Sequence, residues 1–471
     1  MTRRTFLQTT AGAVAASALP AEMLLAAGDP PSTRSTTDTS PPKPIPRFGD
    51  ARDWIFQKRF GLFVHWGLYS IAGWHEQLQW RGRVPRAEYV KLQQQWNPTK
   101  YDPNAWLDVA QEAGMKYVTF TTKHHDGFCL WDTKLTPYNT MNTPYGKDTL
   151  RMLADACQKR GFPLCLYYSI ADWHQKNYPN QGRHHELPPQ PGDEPDLMKY
   201  LEFLKAQVRE LCTNYGQLGG FWWDMNVDKH VDPSINDMIR RHQPGAVINN
   251  RGFDNGDYGT PEREYQVDEI VAFDRLAEAC NSVGTESWGY RKDEDYYDDR
   301  HLMRSIDKYM ARDANYLLNV GPMGTGEFPP EAIAILKRIG AWYGKVSESL
   351  EGVEPASMLT PNRNVLLTRR GKDVLYVHLN KDPMAESVKL KPIAIAPKKA
   401  TLLNTGAPVE FEVELVPSEH VEHKPCLRLR KLPVNEMSNT VLIVKLEFDR
   451  PIEEGMNPTV TPDGMDNVMK M

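Results

Sequence analysis

Gly219-Gly220-Phe221-Trp222-Trp223-Asp224 reads as a buried strand that ends in a carboxylate. A strand period of two puts Trp222 and Asp224 on one face and Phe221 and Trp223 on the other, so an aromatic wall and an acid share a side. Short apolar runs of the same kind lie on both sides of it: Phe60 to Val64, Tyr117 to Thr121, Pro163 to Tyr168, Ala246 to Ile248 and Tyr316 to Val320. Helical patterning separates them, most clearly at Pro103 to Ala113 and Thr149 to Arg160. Alternation of this kind over roughly 300 residues implies a parallel sheet covered by helices, and its length predicts an α/β fold of the (β/α)8-like TIM-barrel type rather than an open doubly wound sheet. No strong helix is legible from Asn249 to Ser287, so the later part of the barrel is expected to be irregular.

Working outward, the barrel pattern occupies residues 47–350 and gives way to a different texture at 351–450. There, Asp373 to Leu379, Ser387 to Leu390, Val409 to Leu415, Cys426 to Arg430 and Thr440 to Phe448 alternate apolar with polar residues between turn-forming segments. This predicts a C-terminal antiparallel β-sandwich domain. Residues 451–471 carry little pattern and read as a loosely held tail. At the other end, Thr2-Arg3-Arg4-Thr5-Phe6-Leu7 precedes a small, alanine-rich apolar stretch from Ala11 to Ala27, the pattern of a twin-arginine-type signal peptide over residues 1–27. Its apolar stretch is too short for a membrane span. Residues 28–46 are rich in Pro, Ser and Thr and form a linker. The expected location is therefore the periplasm or the exterior of the cell.

Composition narrows the function classes. A net charge of -5 leaves no basic surface for nucleic acid. The six cysteines stand singly, without a C-x-x-C pair, and read as buried thiols rather than a disulfide framework. No G-x-G-x-x-G follows a strand, which argues against a dinucleotide cofactor. The first strand is followed by His65-Trp66-Gly67 rather than an H-x-H pair and H-E-x-x-H is absent, so no catalytic metal is expected.

What remains is the chemistry of the strand ends, because a barrel of this kind builds its active site at the carboxyl ends of its strands. Here these read His65-Trp66-Gly67, Lys123-His124-His125-Asp126-Gly127-Phe128, Tyr167-Tyr168-Ser169, Trp222-Trp223-Asp224 and Asn249-Asn250-Arg251. Any one histidine there could be a satisfied core residue; polar and aromatic groups at five successive ends imply a pocket suited to a sugar. Glu262, in Thr260-Pro261-Glu262, adds a second carboxyl from a separate segment. Two carboxyls serve glycosidic bond cleavage, one to attack or stabilise the sugar cation and one to protonate the leaving group.

Taken with Ser287-Trp288-Gly289-Tyr290 and Tyr316-Leu317-Leu318-Asn319-Val320-Gly321-Pro322, these motifs resemble, in order, those of the glycoside hydrolase family 29 α-L-fucosidases. The resemblance spans Arg47 to Leu350. It implies retaining, exo-acting hydrolysis of α-L-fucosides by double displacement, with Asp224 as nucleophile and Glu262 as acid/base. It also implies sugar contacts from His65, Glu76, His124, His125, Tyr167, Trp222, Arg251 and Trp288, with a fucosylated oligosaccharide, glycan or polysaccharide fragment as substrate. His124 and His125 are expected to donate hydrogen bonds to sugar hydroxyls. Two departures from the family pattern stand out. Trp74-His75-Glu76-Gln77 lacks an aromatic after the glutamate, and Ala277-Glu278-Ala279-Cys280 stands where a Trp-Glu pair is common, which makes Glu278 a rival acid/base. A catalytically inactive fucose-binding barrel would need the hydroxyl-binding groups without the acid pair.

Overall fold

The computed structural model describes residues 44–225, 231–263, 272–415, 417 and 424–457. The expected signal peptide, most of the linker and the tail beyond residue 457 lie outside the described residues.

Seven parallel strands form one curled sheet: β1 (Phe60–Val64), β2 (Val118–Lys123), β3 (Leu164–Ser169), β4 (Gly220–Asp224), β5 (Val247–Ile248), β6 (Glu278–Ser282) and β7 (Asn315–Val320), in the order β5-β4-β3-β2-β1-β7-β6. Every residue of β1, β2 and β7 is buried, as expected of a parallel sheet covered on both faces. Phe63, Tyr167, Trp222, Cys280 and Leu317 fill the concave interior. Leu62, Phe120, Leu166, Phe221, Trp223 and Leu318 join the larger core beneath the helices. The alternation expected along β4 therefore holds, with Trp222 inside and its two aromatic neighbours outside.

The helices α1 (Pro103–Glu112), α2 (Thr149–Arg160), α3 (Leu197–Asn214), α4 (Ser234–His242), α5 (Asp299–Met310) and α6 (Pro330–Val346) alternate with the strands. Asp102, Asp148, Asp196 and Asp298 cap the N-termini of α1, α2, α3 and α5 by accepting hydrogen bonds from backbone N–H groups of the first turn. Each such cap stabilises its helix by about 1 kcal/mol.

The sheet is not closed by an eighth regular strand among the described residues. Between β5 and β6 the segment from Tyr258 to Glu262 makes only isolated parallel bridges, Asn249 to Tyr258 on one side and Gly259 to Ala277 and Glu262 to Cys280 on the other. The reason is local chemistry: Pro261 has no N–H for a ladder, and Asp254-Asn255-Gly256-Asp257 favours a turn. Irregularity was expected here. The strand β6 was not, because Glu278-Ala279-Cys280-Asn281-Ser282 is small and polar and lacks the β-branched signature.

Beyond the barrel-like part, the strands β8 (Glu354–Pro355), β9 (Leu366–Arg370), β10 (Val374–Leu379), β11 (Val388–Leu390), β12 (Lys399–Leu402), β13 (Glu410–Glu414), β14 (Cys426–Arg430) and β15 (Leu442–Glu447) form two antiparallel sheets. Their orders are β12-β15-β10-β9-β8 and β11-β14-β13, and one apolar core that includes Leu375, Leu390, Leu427 and Val444 joins them. A fully buried pair, His378 Nδ1 to Asp307 Oδ1 at 2.6 Å, fastens β10 to α5. All six cysteines are free and buried. No helix of the described residues is long and apolar enough to cross a membrane.

Candidate active site

The carboxyl ends of the strands converge on Asp224, the last residue of β4. Each of its oxygens is held separately. Arg251 Nη1 donates to Oδ1 at 2.9 Å, and the Tyr167 hydroxyl, from β3, donates to Oδ2 at 2.6 Å. His125 Nε2 lies 3.7 Å from the same Oδ2. Burial opposes ionisation of Asp224, but the Arg251 guanidinium, then His125 and the Tyr167 hydroxyl, outweigh it and hold the carboxyl at about 2. At neutral pH this group is a fixed anion with both oxygens oriented.

Arg251 also determines where Glu262 sits. Its Nη2 donates to Glu262 Oε2 at 2.7 Å while its Nε donates to Thr260 Oγ1 at 2.8 Å, so one planar guanidinium spans both carboxylates. Glu262 is the more open of the two, its side chain 34% exposed against 19% for Asp224. The arrangement places a half-buried, ionised carboxylate and a more open one across a shared cation.

His65, following β1, brings Nδ1 to 2.7 Å from Asn319 Oδ1. The Asn319 amide donates elsewhere, to the Trp288 carbonyl at 2.7 Å and Ser282 Oγ at 3.1 Å, so Oδ1 accepts and the proton sits on His65 Nδ1. Burial pushes the His65 imidazole below the usual range, leaving Nε2 as an acceptor. The same logic applies to His125. Ser169 Oγ donates to the Ala171 carbonyl at 2.6 Å and therefore accepts from His125 Nδ1 at 2.7 Å. With its imidazole lowered chiefly by burial, His125 turns a lone pair toward the pocket. His125 was expected to donate to sugar hydroxyls; the hydrogen bonds made by Nδ1 leave Nε2 of His65 and of His125 as acceptors instead. His124 stacks parallel to Tyr167 with ring centroids 5.7 Å apart and packs on His125 at 4.0 Å. A shift of strand register between Thr121 and Lys123 re-aims this segment. The buried pair Lys123 Nζ to Asp172 Oδ2, 2.7 Å, anchors it from behind.

Trp222 is as deeply buried as the neighbouring rings of the site. It is 2% exposed, its ring stacks on Tyr167 at 5.6 Å, and the Arg251 Cζ sits 4.5 Å from the ring centroid. Its Nε1 donates to Glu278 Oε1 at 3.1 Å. Glu278, at the start of β6, is itself 2% exposed, and its other oxygen accepts from the Tyr117 hydroxyl at 2.7 Å. It is thus a buried partner of the floor residues.

Glu76 is also buried. Its Oε2 accepts from Ser287 Oγ at 2.7 Å, from the Trp288 N–H at 2.9 Å and from the Gly289 N–H at 3.3 Å. That clamp fixes Trp288, whose ring lies 5.4 Å from His65. Sequence reasoning thus collected the carboxylates and the aromatic ring set, and missed the orienting residues Asn319, Ser169, Thr260 and Tyr117. Asn319 alone left a signal, a polar residue interrupting the apolar run of β7. Among the described residues no three His, Cys, Asp or Glu side chains converge as a metal-ligand set.

This geometry can be set beside known proteins. The family model for α-L-fucosidase matches residues 40–348. Bovine tissue α-L-fucosidase is 24% identical over 424 residues, covering 83% of this chain and 88% of the relative. Among solved structures, α-L-fucosidase isoenzyme 1 from Paenibacillus thiaminolyticus is 33% identical, with a TM-score of 0.75 over 85% of this chain and 100% of that one. An α-L-fucosidase from Bacteroides thetaiotaomicron, trapped as a covalent intermediate with 2-fluoro-fucosyl fluoride, is 28% identical with a TM-score of 0.71 over 87% and 98% of the two chains. The family match covers well over half of the residues and contains every strand of the curled sheet. The chain is a glycoside hydrolase and belongs to the α-L-fucosidase family.

Proposed function

We propose that the chain is a retaining, exo-acting α-L-fucosidase in which Asp224 is the nucleophile and Glu262 the acid/base. In the first step an Asp224 oxygen bonds to the anomeric carbon, the glycosidic carbon–oxygen bond breaks, and Glu262 gives its proton to the departing oxygen. In the second, Glu262 takes a proton from water as that water attacks the anomeric carbon, and the Asp224 ester bond breaks to release fucose. The observation that carries this reading is the single Arg251 guanidinium bonded to both carboxylates, at 2.9 Å and 2.7 Å. His65, His124, His125, Tyr167 and Trp288 frame the sugar, Trp222 and Arg251 support it from below, and Glu76 holds Trp288 in place. The covalent intermediate trapped in the Bacteroides relative supports a two-step route here. On the same reading the segment from Tyr258 to Glu262 stands where an eighth barrel strand would, which is how its carboxylate reaches the site.

The test is the stereochemistry of the product. Proton NMR during hydrolysis of an aryl α-L-fucoside or a fucosylated oligosaccharide should show α-L-fucose first, with the β anomer appearing only by mutarotation. First appearance of β-L-fucose would replace double displacement with direct attack by water. The two carboxyls supply nucleophile and proton, so the rate should survive exhaustive chelation; recovery of a lost rate by zinc would return the histidines to a ligand role.

The Arg3-Arg4 pair and the apolar stretch after it support export of the folded enzyme to the periplasm or beyond. Changing Arg3 and Arg4 together to Lys should leave active enzyme in the cytoplasm. Normal export of that variant would overturn the signal-peptide reading.

A further inference from the structure

A row of rings leads away from Asp224 across the rim of the site. Beyond His125, the His185 ring lies 6.4 Å away with its plane tilted by only 18°. His184 packs on His185 at 3.8 Å, and Trp80 closes the row edge-on to both, at 5.2 Å from His184 and 4.9 Å from His185. Trp80 belongs to a short helical turn, Leu78–Arg81, in the segment after β1, and the two histidines belong to the loop after β3. His184 is exposed, while Trp80 and His185 are half-buried. His185 meets the site through the His125 ring, and none of the three side chains hydrogen-bonds to Asp224, Arg251 or Glu262.

The loop that carries the histidines is fixed rather than slack. Trp173 Nε1 donates to the His185 carbonyl at 2.8 Å, and the neighbouring buried Glu186 accepts from Arg183 Nε at 2.8 Å. His185 itself is held at a φ of 63°, a left-handed conformation that a residue with a Cβ adopts at a cost. The floor of the pocket is closed by Phe63, Trp222 and Glu278, so whatever is attached to the fucosyl oxygen must leave across the rim.

We infer that Trp80, His184 and His185 form a subsite for the sugar from which fucose is cleaved, a pyranose whose C–H face lies against the indole and whose hydroxyls meet the imidazoles. This rests on the fucosidase reading above. An aromatic ring covers the apolar face of a sugar without a charge partner, and a neutral imidazole offers one donor and one acceptor, which matches a hydroxyl. Burial and the neighbouring histidines hold the His185 imidazole down at about 4, so at neutral pH it offers hydrogen bonds rather than charge, while the Arg81 guanidinium lies 5.9 Å from the Trp80 ring centroid.

The experiment compares two substrates on the full-length enzyme: a neutral α-L-fucosyl disaccharide, and α-L-fucosyl fluoride, whose leaving group cannot occupy the subsite. Trp80→Ala and His185→Asn, the latter keeping a side chain tolerant of the left-handed backbone, should each lower kcat/KM for the disaccharide about tenfold more than for the fluoride. Equal losses on both substrates would show that the rings only brace the loops. The absence of any loss on the disaccharide would place the leaving sugar elsewhere. A wild-type enzyme that releases fucose from neither substrate would overturn the fucosidase reading, and the subsite with it, before any variant is compared.

Discussion

Asp224→Ala should lower kcat on any α-L-fucoside by at least about 10³-fold, roughly 4 kcal/mol of barrier at about 1.4 kcal/mol per tenfold. The size of the effect follows from what the structure gives this carboxylate. Its two oxygens are each oriented by a dedicated donor, Arg251 Nη1 on Oδ1 and the Tyr167 hydroxyl on Oδ2, and it stands at the carboxyl end of β4 rather than beneath the floor. No neighbour offers a second carboxylate in the same position. The substitution also has a smaller structural effect. A carboxyl held at about 2, below its ordinary 3.8, stabilises the fold above about pH 4 and loses that contribution as pH falls toward 2. At neutral pH this is on the order of 2 kcal/mol, so a modest drop in melting temperature should accompany a far larger loss of rate. Added azide should restore part of the turnover of Asp224→Ala by entering from the vacated side, giving β-L-fucosyl azide. In the wild type, 2-fluoro-fucosyl fluoride should leave a label on the peptide containing Asp224. A label on Glu262 or Glu278 would remove the nucleophile assignment.

Much of this site was legible because its parts sit where periodicity is strong. The strand ends at His65, Tyr167 and Asp224 follow apolar runs that could only be interior strands, and the carboxyl-end rule then gathers them into one pocket. The strand β6 escaped notice because its residues are small and polar, and they are so because Glu278 and Asn281 are buried polar groups within it. The closure of the sheet was equally hidden, since Pro261 and the Asp254-Asn255-Gly256 turn replace a ladder with isolated bridges. Hydrogen-bond direction was beyond the sequence altogether. That His65 and His125 face the pocket as acceptors depends on Asn319 and Ser169, which are distant in the chain and carry no motif that ties them to a histidine. The packing of Trp222 depends likewise on partners from other strands, Tyr167 and Glu278, which periodicity alone does not reveal.

Glu262→Ala should show a loss that depends on the leaving group: on the order of 10³-fold for a natural fucosyl linkage, but far less for α-L-fucosyl fluoride or an activated aryl fucoside, which need little or no proton. Two glutamates compete for this role, and two criteria disagree. Burial, only partly offset by the Tyr117, Trp222 and Tyr258 side chains, raises Glu278 to about 7, the range in which a carboxylic acid could hold a proton at neutral pH. Geometry points the other way. The oxygens of Glu278 are engaged by Tyr117 and Trp222 at 2.7 Å and 3.1 Å, and the residue is 2% exposed beneath the floor. Glu262 stands open to solvent on the same guanidinium as Asp224. A general acid must first reach the atom it protonates, so position decides and the raised value of Glu278 reflects burial alone. Arg251 supplies a further reason. Once Asp224 is esterified its charge is gone, and the guanidinium is left facing Glu262 in the step where that residue has to act as base. Azide should therefore rescue Glu262→Ala with retention, giving α-L-fucosyl azide, the anomer opposite to that from Asp224→Ala. Glu278→Gln should instead depress all substrates in common, through the packing of Trp222 against Tyr167 and Arg251, without leaving-group dependence or azide rescue. If Glu278→Gln shows the leaving-group pattern and Glu262→Ala does not, the proton comes from the floor of the barrel and the two roles exchange.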